Sequence, residues 1–276
     1  RPLLANINKP FTGRTPEEGA KLFYQAALGG SDIIKDDELL GDSSYSKALS
    51  RAKLFMEMER RAFEETGERT IYAVNITDRP DRLVEKARRA VELGANGLMV
   101  NFLSVGISAL SILAEDADVG VPILAHLDIC GVMCGVADHG ISANVLLGLL
   151  PRLAGADLVI YPCPYGLLDI SRAESLQVAE AHRAEMGDLK PTFPAPAGGV
   201  HAGMVEALTR DLGVDYIVGA GSSVHMHPMG AMCGARAFRQ AIDATVDGVG
   251  LAEAAKEHEE LRAAIDLWGV LPAPPA

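Results

Sequence analysis

The stretch Gly29-Gly30-Ser31-Asp32-Ile33-Ile34-Lys35-Asp36-Asp37-Glu38 ends a short apolar run in one lysine and three carboxylates. β-Branched residues after a Gly-Gly break read as a buried parallel strand over residues 31–34. Lys35, Asp37 and Glu38 then emerge at its carboxyl end, with Lys35 and Asp37 on one face because side chains alternate along a strand. In parallel α/β sheets that end is where ligands bind and chemistry is done.

The same unit recurs on either side of this stretch. Strand-like runs alternate with amphipathic helical ones eight times, which predicts an α/β fold of one domain, a (β/α)8 TIM barrel. The first unit is a strand over 3–9 and a helix from Thr15, where Thr15-Pro16-Glu17-Glu18 supplies a cap, a helix-start proline and an acidic first turn. The second pairs the quoted strand with a helix over 44–65, closed by Gly67. Next come strand 70–77 with helix 80–93, strand 97–103 with helix 107–115, and strand 122–128 with a glycine-rich connection and helix 142–153. Strand 158–161 leads through Pro162-Cys163-Pro164-Tyr165-Gly166 to helix 171–186. Strand 192–197 turns at Gly198-Gly199 into a helix near Ala202, and strand 216–220 turns at Gly221-Ser222-Ser223 before helix 231–245. An additional C-terminal helix over 251–267 exceeds the barrel count, and the proline-rich tail 272–276 is expected to fray.

A chain of 276 residues suits one such barrel, whose usual size is about 250 residues. With 49% apolar and 22% charged residues it reads as soluble and globular, and no apolar run approaches the roughly 18 residues of a membrane span. A formal charge of −12 argues against nucleic acid as a partner. Four scattered cysteines and no secretory signal indicate the cytoplasm. Cys130 and Cys134 lack a second ligand pair at zinc spacing and read as buried free thiols. The chain opens at Arg1 and enters the segment Leu3-Leu4-Ala5-Asn6-Ile7 almost at once, so it reads as the barrel part of something longer.

Placing every strand end on one rim collects Lys9, Lys35, Asp37, Glu38, Asn75, Asn101, His126, His201 and Ser222. Any one of these could be a cap or a structural histidine; independent loops would have to assemble all of them by chance. Asp37 and Glu38 offer hard oxygen ligands suited to Mg²⁺. A lysine cation beside them would oppose a metal, unless Lys35 reacts as a neutral amine with CO2 to give a carbamate, a third anionic oxygen ligand. A salt bridge from Lys35 to a neighbouring carboxylate and a Schiff-base lysine without metal are the alternatives. Gly198-Gly199 and Gly221-Ser222-Ser223 lead into helix N-termini, which suits a phosphate held by backbone N–H groups, although glycine pairs also serve tight turns.

These segments resemble the barrel domain of the RuBisCO large-chain superfamily over nearly the whole chain. GGSDIIKDDE is similar to its activation motif, RPLLANINKP to its first strand with an active-site lysine at Lys9, AGGVHAG to its phosphate loop, and GAGSSVHMHPMG to its final glycine-rich turn. The resemblance implies Mg²⁺ held by Asp37, Glu38 and Lys35 carrying CO2 as a carbamate. It also implies an N-terminal α+β domain absent from this chain, and a homodimer in which a partner's N-terminal domain covers the open rim. The departures point away from carbon fixation. Phe11 replaces a second lysine, AHLDICGVMC keeps only His126 of a histidine-arginine cluster, Ser142 replaces a histidine, Leu167 replaces a mobile lysine, and Ser222-Ser223 replace Gly-Gly.

Such losses resemble the RuBisCO-like, non-carboxylating branch. YAVNIT, GADLVIYPCPYG and FRQAIDAT are similar to the diketo-methylthiopentyl phosphate enolases within it. The resemblance implies Mg²⁺-dependent enolisation, a tautomerisation or isomerisation, of a phosphorylated ketose or diketone. Lys9, Lys35 and His126 would be catalytic, and Asn75, Asn101, Gly198, Gly199, His201, Gly221 and Ser222 would bind substrate or phosphate. A decarboxylase of a β-keto sugar-acid phosphate and a non-catalytic barrel remain open as alternatives. The 276-residue chain alone is expected to turn over weakly.

Overall fold

The computed structural model describes residues 1–10, 12–135 and 138–272; Phe11 and the tail from 273 onward lie outside the described residues. Eight parallel strands close into the expected barrel in chain order: β1 (Leu3–Ile7), β2 (Ile33–Lys35), β3 (Ile71–Asn75), β4 (Gly97–Asn101), β5 (Ile123–His126), β6 (Leu158–Pro162), β7 (Phe193–Ala197) and β8 (Ile217–Ala220), which pairs back to β1. The interior is filled by small and branched side chains, among them Ala5, Ile33, Ala73, Met99, Leu124 and Ile217, so the barrel is a packed core with no pore. Alternate residues face the helical layer, where Ile34, Tyr72, Val74, Leu98, Val100, Ala125 and Val159 pack against apolar helix faces.

Local chemistry fixes where the helices begin and end. Thr15 and Glu18 form the reciprocal capping box of helix Pro16–Leu28, and Ser171 and Glu174 form another at helix Arg172–Arg183. Gly67 closes helix Ala48–Thr66 in the left-handed region, φ 73°. Gly30, at φ 90°, still belongs to the turn that ends the first helix, because its N–H and that of Ser31 bond to Ala27 and Ala26. That is why β2 begins at Ile33 rather than at Ser31.

Three sequence expectations are corrected. Strand 97–103 stops at Asn101, and Phe102–Val105 is already helical; a buried apolar run serves either element. The helix expected over 142–153 is a π-helical turn, Asn144–Leu149, followed by Leu150–Leu153. Pro151 has no N–H to give to Leu147 O, and His182 Nε2 takes that carbonyl at 2.8 Å instead. The extra C-terminal helix is two, Leu251–Glu257 and Glu259–Trp268, broken at His258. The second is anchored from outside by Gln240, which accepts from Leu261 N at 3.0 Å and donates to Glu260 at 2.8 Å. Among the described residues no helix is long and apolar enough to cross a membrane. The cysteines are free, but Cys134 is only partly buried.

Candidate active site

The carboxyl ends of the strands enclose a cleft of about 640 Å³. Lys9, Lys35, Glu38, His126, Gly198, Gly199, Gly221 and Ser222 all line it, with Lys9 beside Gly221. The structure therefore brings together eight of the residues expected there. Asp37, Asn75, Asn101 and His201 are not in the lining.

β2 is only three residues long, and the chain then turns sharply through 36–40. Lys35 is 1% exposed and donates to Glu38 Oε2 and to the Asp36 carbonyl, both at 2.9 Å. Asp37 is fully buried, with Oδ1 accepting from Leu39 N at 3.0 Å and Oδ2 lying 3.1 Å from Lys9 Nζ. Behind it, Asn75 donates to the carbonyls of Asp37 (3.3 Å) and Glu38 (3.1 Å), and Asn101 to the Glu38 carbonyl (3.0 Å) and Asp128 Oδ2 (2.7 Å). The two asparagines thus act on the backbone that carries the carboxylates.

His126, at the end of β5, stands between two carboxylates: Nε2 is 3.5 Å from Glu38 Oε2 and Nδ1 3.6 Å from Asp128 Oδ1. Burial lowers the imidazole pKa, Lys35 lowers it further, and Asp128 and Glu38 oppose without reversing the shift. A neutral imidazole can accept a proton. Burial would by itself raise the Glu38 carboxyl, but the Lys35 ammonium hydrogen-bonded to it at 2.9 Å outweighs this and brings it to about 2.

Asn101 Oδ1 and His126 Nδ1 are buried without a hydrogen-bond partner among the described residues, and Asp37 Oδ2 has the Lys9 ammonium at 3.1 Å in place of a hydrogen bond. Buried polar atoms left unpaired are costly. Among the described residues no three His, Cys, Asp or Glu side chains are placed to hold a metal. Asp37 and Glu38 are hard oxygen donors of the kind Mg²⁺ takes, and Lys35 Nζ lies 2.9 Å from Glu38 Oε2.

At the ends of β7 and β8 the lining includes glycine turns. Gly198 and Gly199 have φ 97° and 83°, a region that disfavours residues with a Cβ, and Leu167 N donates to Gly198 O at 2.8 Å. Gly221 precedes the short helix Ser222–His225. Leu167 is 86% exposed, and Leu168 enters the lining in its place. His201 packs against Trp268 with ring centroids 6.4 Å apart, and burial lowers its pKa.

Asp128, Asp169 and Glu174 also line the cleft, with apolar groups such as Ile129, Leu147 and Ile170. Asp128 lies two positions beyond His126 in HLD, just past the end of β5. Asp169 and Glu174 carry no local signal.

The pattern described as the ribulose bisphosphate carboxylase large chain, catalytic domain, matches residues 1–268. The chain belongs to the RuBisCO large-chain family. Within that family it is 48% identical over 248 residues to a ribulose bisphosphate carboxylase-like protein of Archaeoglobus fulgidus, covering 90% of this chain and 57% of that one. It is 43% identical over 274 residues to a 2,3-diketo-5-methylthiopentyl-1-phosphate enolase of Geobacillus thermodenitrificans, covering 98% of this chain and 66% of that one. The crystal structure of a rubisco-like protein (MtnW) from Alicyclobacillus acidocaldarius superposes with a TM-score of 0.93 at 42% identity, over 98% of this chain and 68% of that one. This RuBisCO-family chain therefore spans about three fifths to two thirds of the length of these relatives.

Proposed function

We propose that this chain is the barrel of a RuBisCO-like enzyme that enolises a phosphorylated ketose or diketone and does not fix CO2. The observation that carries the reading is the make-up of the cleft: Lys9, Lys35, Glu38 and a neutral His126 share one lining with the glycine turns at Gly198-Gly199 and Gly221. The enolase name of a relative 43% identical over nearly the whole chain supports the same reaction class.

In this reading Gly198, Gly199, Gly221 and Ser222 present backbone N–H groups to a phosphate. Asp37, Glu38 and Lys35, as its carbamate, would hold Mg²⁺, whose chemistry there is to polarise a carbonyl and favour negative charge on its oxygen. Neutral His126 is available to accept the proton leaving carbon, or to hold a substrate oxygen. Lys9, about one third exposed at the mouth, supplies positive charge or a proton to the enolate oxygen. Asn75 and Asn101 keep the backbone of Asp37 and Glu38 from drifting. The apolar wall around Ile129 and Ile170 excludes water from the carbon chain.

The rim loops also expose Leu39, Ile129, Val132, Leu167 and Met226. An apolar collar of this kind supports cover by a second subunit, and we assign a homodimer to the full-length protein.

The test is hydrogen-deuterium exchange at the acidic carbon of 2,3-diketo-5-methylthiopentyl 1-phosphate, followed by NMR with Mg²⁺ and bicarbonate present. Exchange that requires bicarbonate is expected. Lys35→Ala should lower it about 10³-fold, the several kcal/mol that a cation supplies. Exchange by Lys35→Ala at the wild-type rate would overturn the reading.

A further inference from the structure

The quoted motif contains another carboxylate, Asp36, which neither lines the cleft nor touches Lys9 or Lys35 through its side chain. Asp36 lies between Lys35 and Asp37 on the opposite face of the chain, toward the helices. It is 1% exposed, and its two oxygens accept from three donors: Arg51 Nε at 3.0 Å, Tyr72 OH at 2.8 Å and Asn75 N at 2.9 Å. Arg51, also 1% exposed, comes from helix Ala48–Thr66. It spends its remaining donors on the carbonyls of Ser46 (2.6 Å) and Gly41 (3.2 Å). One guanidinium thus ties Asp36 to the far end of the loop that begins with Asp37 and Glu38.

The surroundings make this pair unusual. Tyr72 packs against Phe55 at a tilt of 39° with ring centroids 4.8 Å apart and meets Phe23 edge-on at 5.5 Å, so the ions are set against an aromatic cluster. A buried ion pair is weak support for stability, since well-packed apolar residues often do as well. What this pair does provide is direction. With β2 ending at Lys35, Asp36 is the first residue of the outgoing loop, and its carboxylate is fixed by two helix-layer side chains and the end of β3.

We propose that Asp36 and Arg51 are positioning residues for the cation site: without touching the cleft, they set the angle at which the chain leaves β2 and so the spacing of Lys35, Asp37 and Glu38. This rests on the reading of those three residues as the Mg²⁺ site. Neighbours that orient ligands commonly change metal affinity about 10- to 100-fold when removed.

The experiment measures Mg²⁺ affinity by calorimetry at saturating bicarbonate, and thermal stability without Mg²⁺, for the same proteins. Arg51→Met and the milder Tyr72→Phe are compared with Leu110→Ala, a core truncation in helix Ile107–Glu115 away from β2. Arg51→Met is expected to weaken Mg²⁺ binding at least about tenfold, and Tyr72→Phe by a smaller factor in the same direction. Arg51→Lys, which keeps the charge, should recover part of the loss. Leu110→Ala should lose melting temperature and keep wild-type affinity. If Arg51→Met fails to fold, Tyr72→Phe and Arg51→Lys carry the test. Wild-type affinity in every folded variant at Asp36's partners, with Lys35→Ala still abolishing binding, would overturn the positioning role alone. No Lys35-dependent Mg²⁺ binding by the wild type would overturn the cation site and this proposal together.

Discussion

The two sides of the cleft are built differently. At the end of β2 the cleft is lined by the side chains of Lys35 and Glu38, with Asn75 and Asn101 donating to the carbonyls of Asp37 and Glu38. At the ends of β7 and β8 the lining includes glycine turns, Gly198-Gly199 and Gly221, against which Leu167, Leu168 and Lys9 pack. The first side depends on which atoms are present, the second on how closely a ligand can approach. Substitutions should therefore fail in different ways on the two sides: through chemistry on the first, through strain and steric exclusion on the second.

Acid should act through buried histidines, His126 beside Glu38 and His225 beside β8, both lowered by burial. His225, at the end of the short helix after β8, sits against Ile7 O at 3.1 Å. Burial pushes its pKa down to about 4; its bond to Ile7 O opposes, while Arg14 and Lys9 push it further down. The folded state thus favours the neutral ring, so its stabilising effect is complete above the free value of 6.5 and is lost as pH falls toward 4. Glu38, brought to about 2, contributes fully above 4.5 and is lost only between 4.5 and 2. Urea unfolding between pH 7 and pH 4.5 should show the wild type losing about 2–3 kcal/mol more than His225→Gln, whose amide can still donate to Ile7 O but cannot titrate. Equal losses in the two proteins would place the acid-sensitive groups elsewhere, for instance at His182, also lowered to about 4 by burial.

The backbone side should respond to a single methyl group. At Gly199, φ is 83°, and an added Cβ would lie 2.5 Å from Leu167 Cγ and 3.0 Å from Leu167 N. Gly199→Ala must therefore displace the loop that carries Leu167 and adopt a conformation costing about 1–2 kcal/mol. The expected result is a KM about tenfold higher with kcat nearly unchanged, the signature of lost uniform binding. A fall in kcat at constant KM would show that this turn takes part in the chemistry and would break the contrast.

The sequence made the β2 side legible because charge at a strand end is rare and alternation sorts it into faces. That reading put Lys35 and Asp37 on one face, whereas β2 ends at Lys35 and the turn brings Glu38 to Lys35 at 2.9 Å and leaves Asp37 to Lys9 at 3.1 Å. Arg51 could not be recognised as the partner of Asp36, because it lies on the next helix and nothing local marks it. The barrel was legible from its eightfold repeat, and helix starts at Thr15 and Ser171 from their capping boxes. What escaped depends on distant atoms: His182 occupying Leu147 O beside Pro151, and Gln240 holding the second C-terminal helix. Asp169 and Glu174 reach the cleft only through the path of the loop after β6.

The smallest expected effect gives the sharpest test of the contrast, because it lies where side chains stand in place of the glycines that the resemblance leads one to expect. Ser223 is buried and its Oγ donates to Val200 O at 2.5 Å, so it ties the turn after β8 to the turn after β7. Ser222 is exposed in the cleft lining at the start of the short helix. If that side binds phosphate through N–H groups, the Ser222 hydroxyl is dispensable and its Cβ only narrows the opening. Ser222→Gly keeps the N–H and removes the bulk. Its effect on KM should stay within about threefold, near the 0.5 kcal/mol typical of surface substitutions. Steady-state kinetics on the phosphorylated substrate would check this. A KM raised more than about tenfold would mean that the hydroxyl itself holds the ligand, and that the glycine-turn side, like the β2 side, recognises through side-chain chemistry.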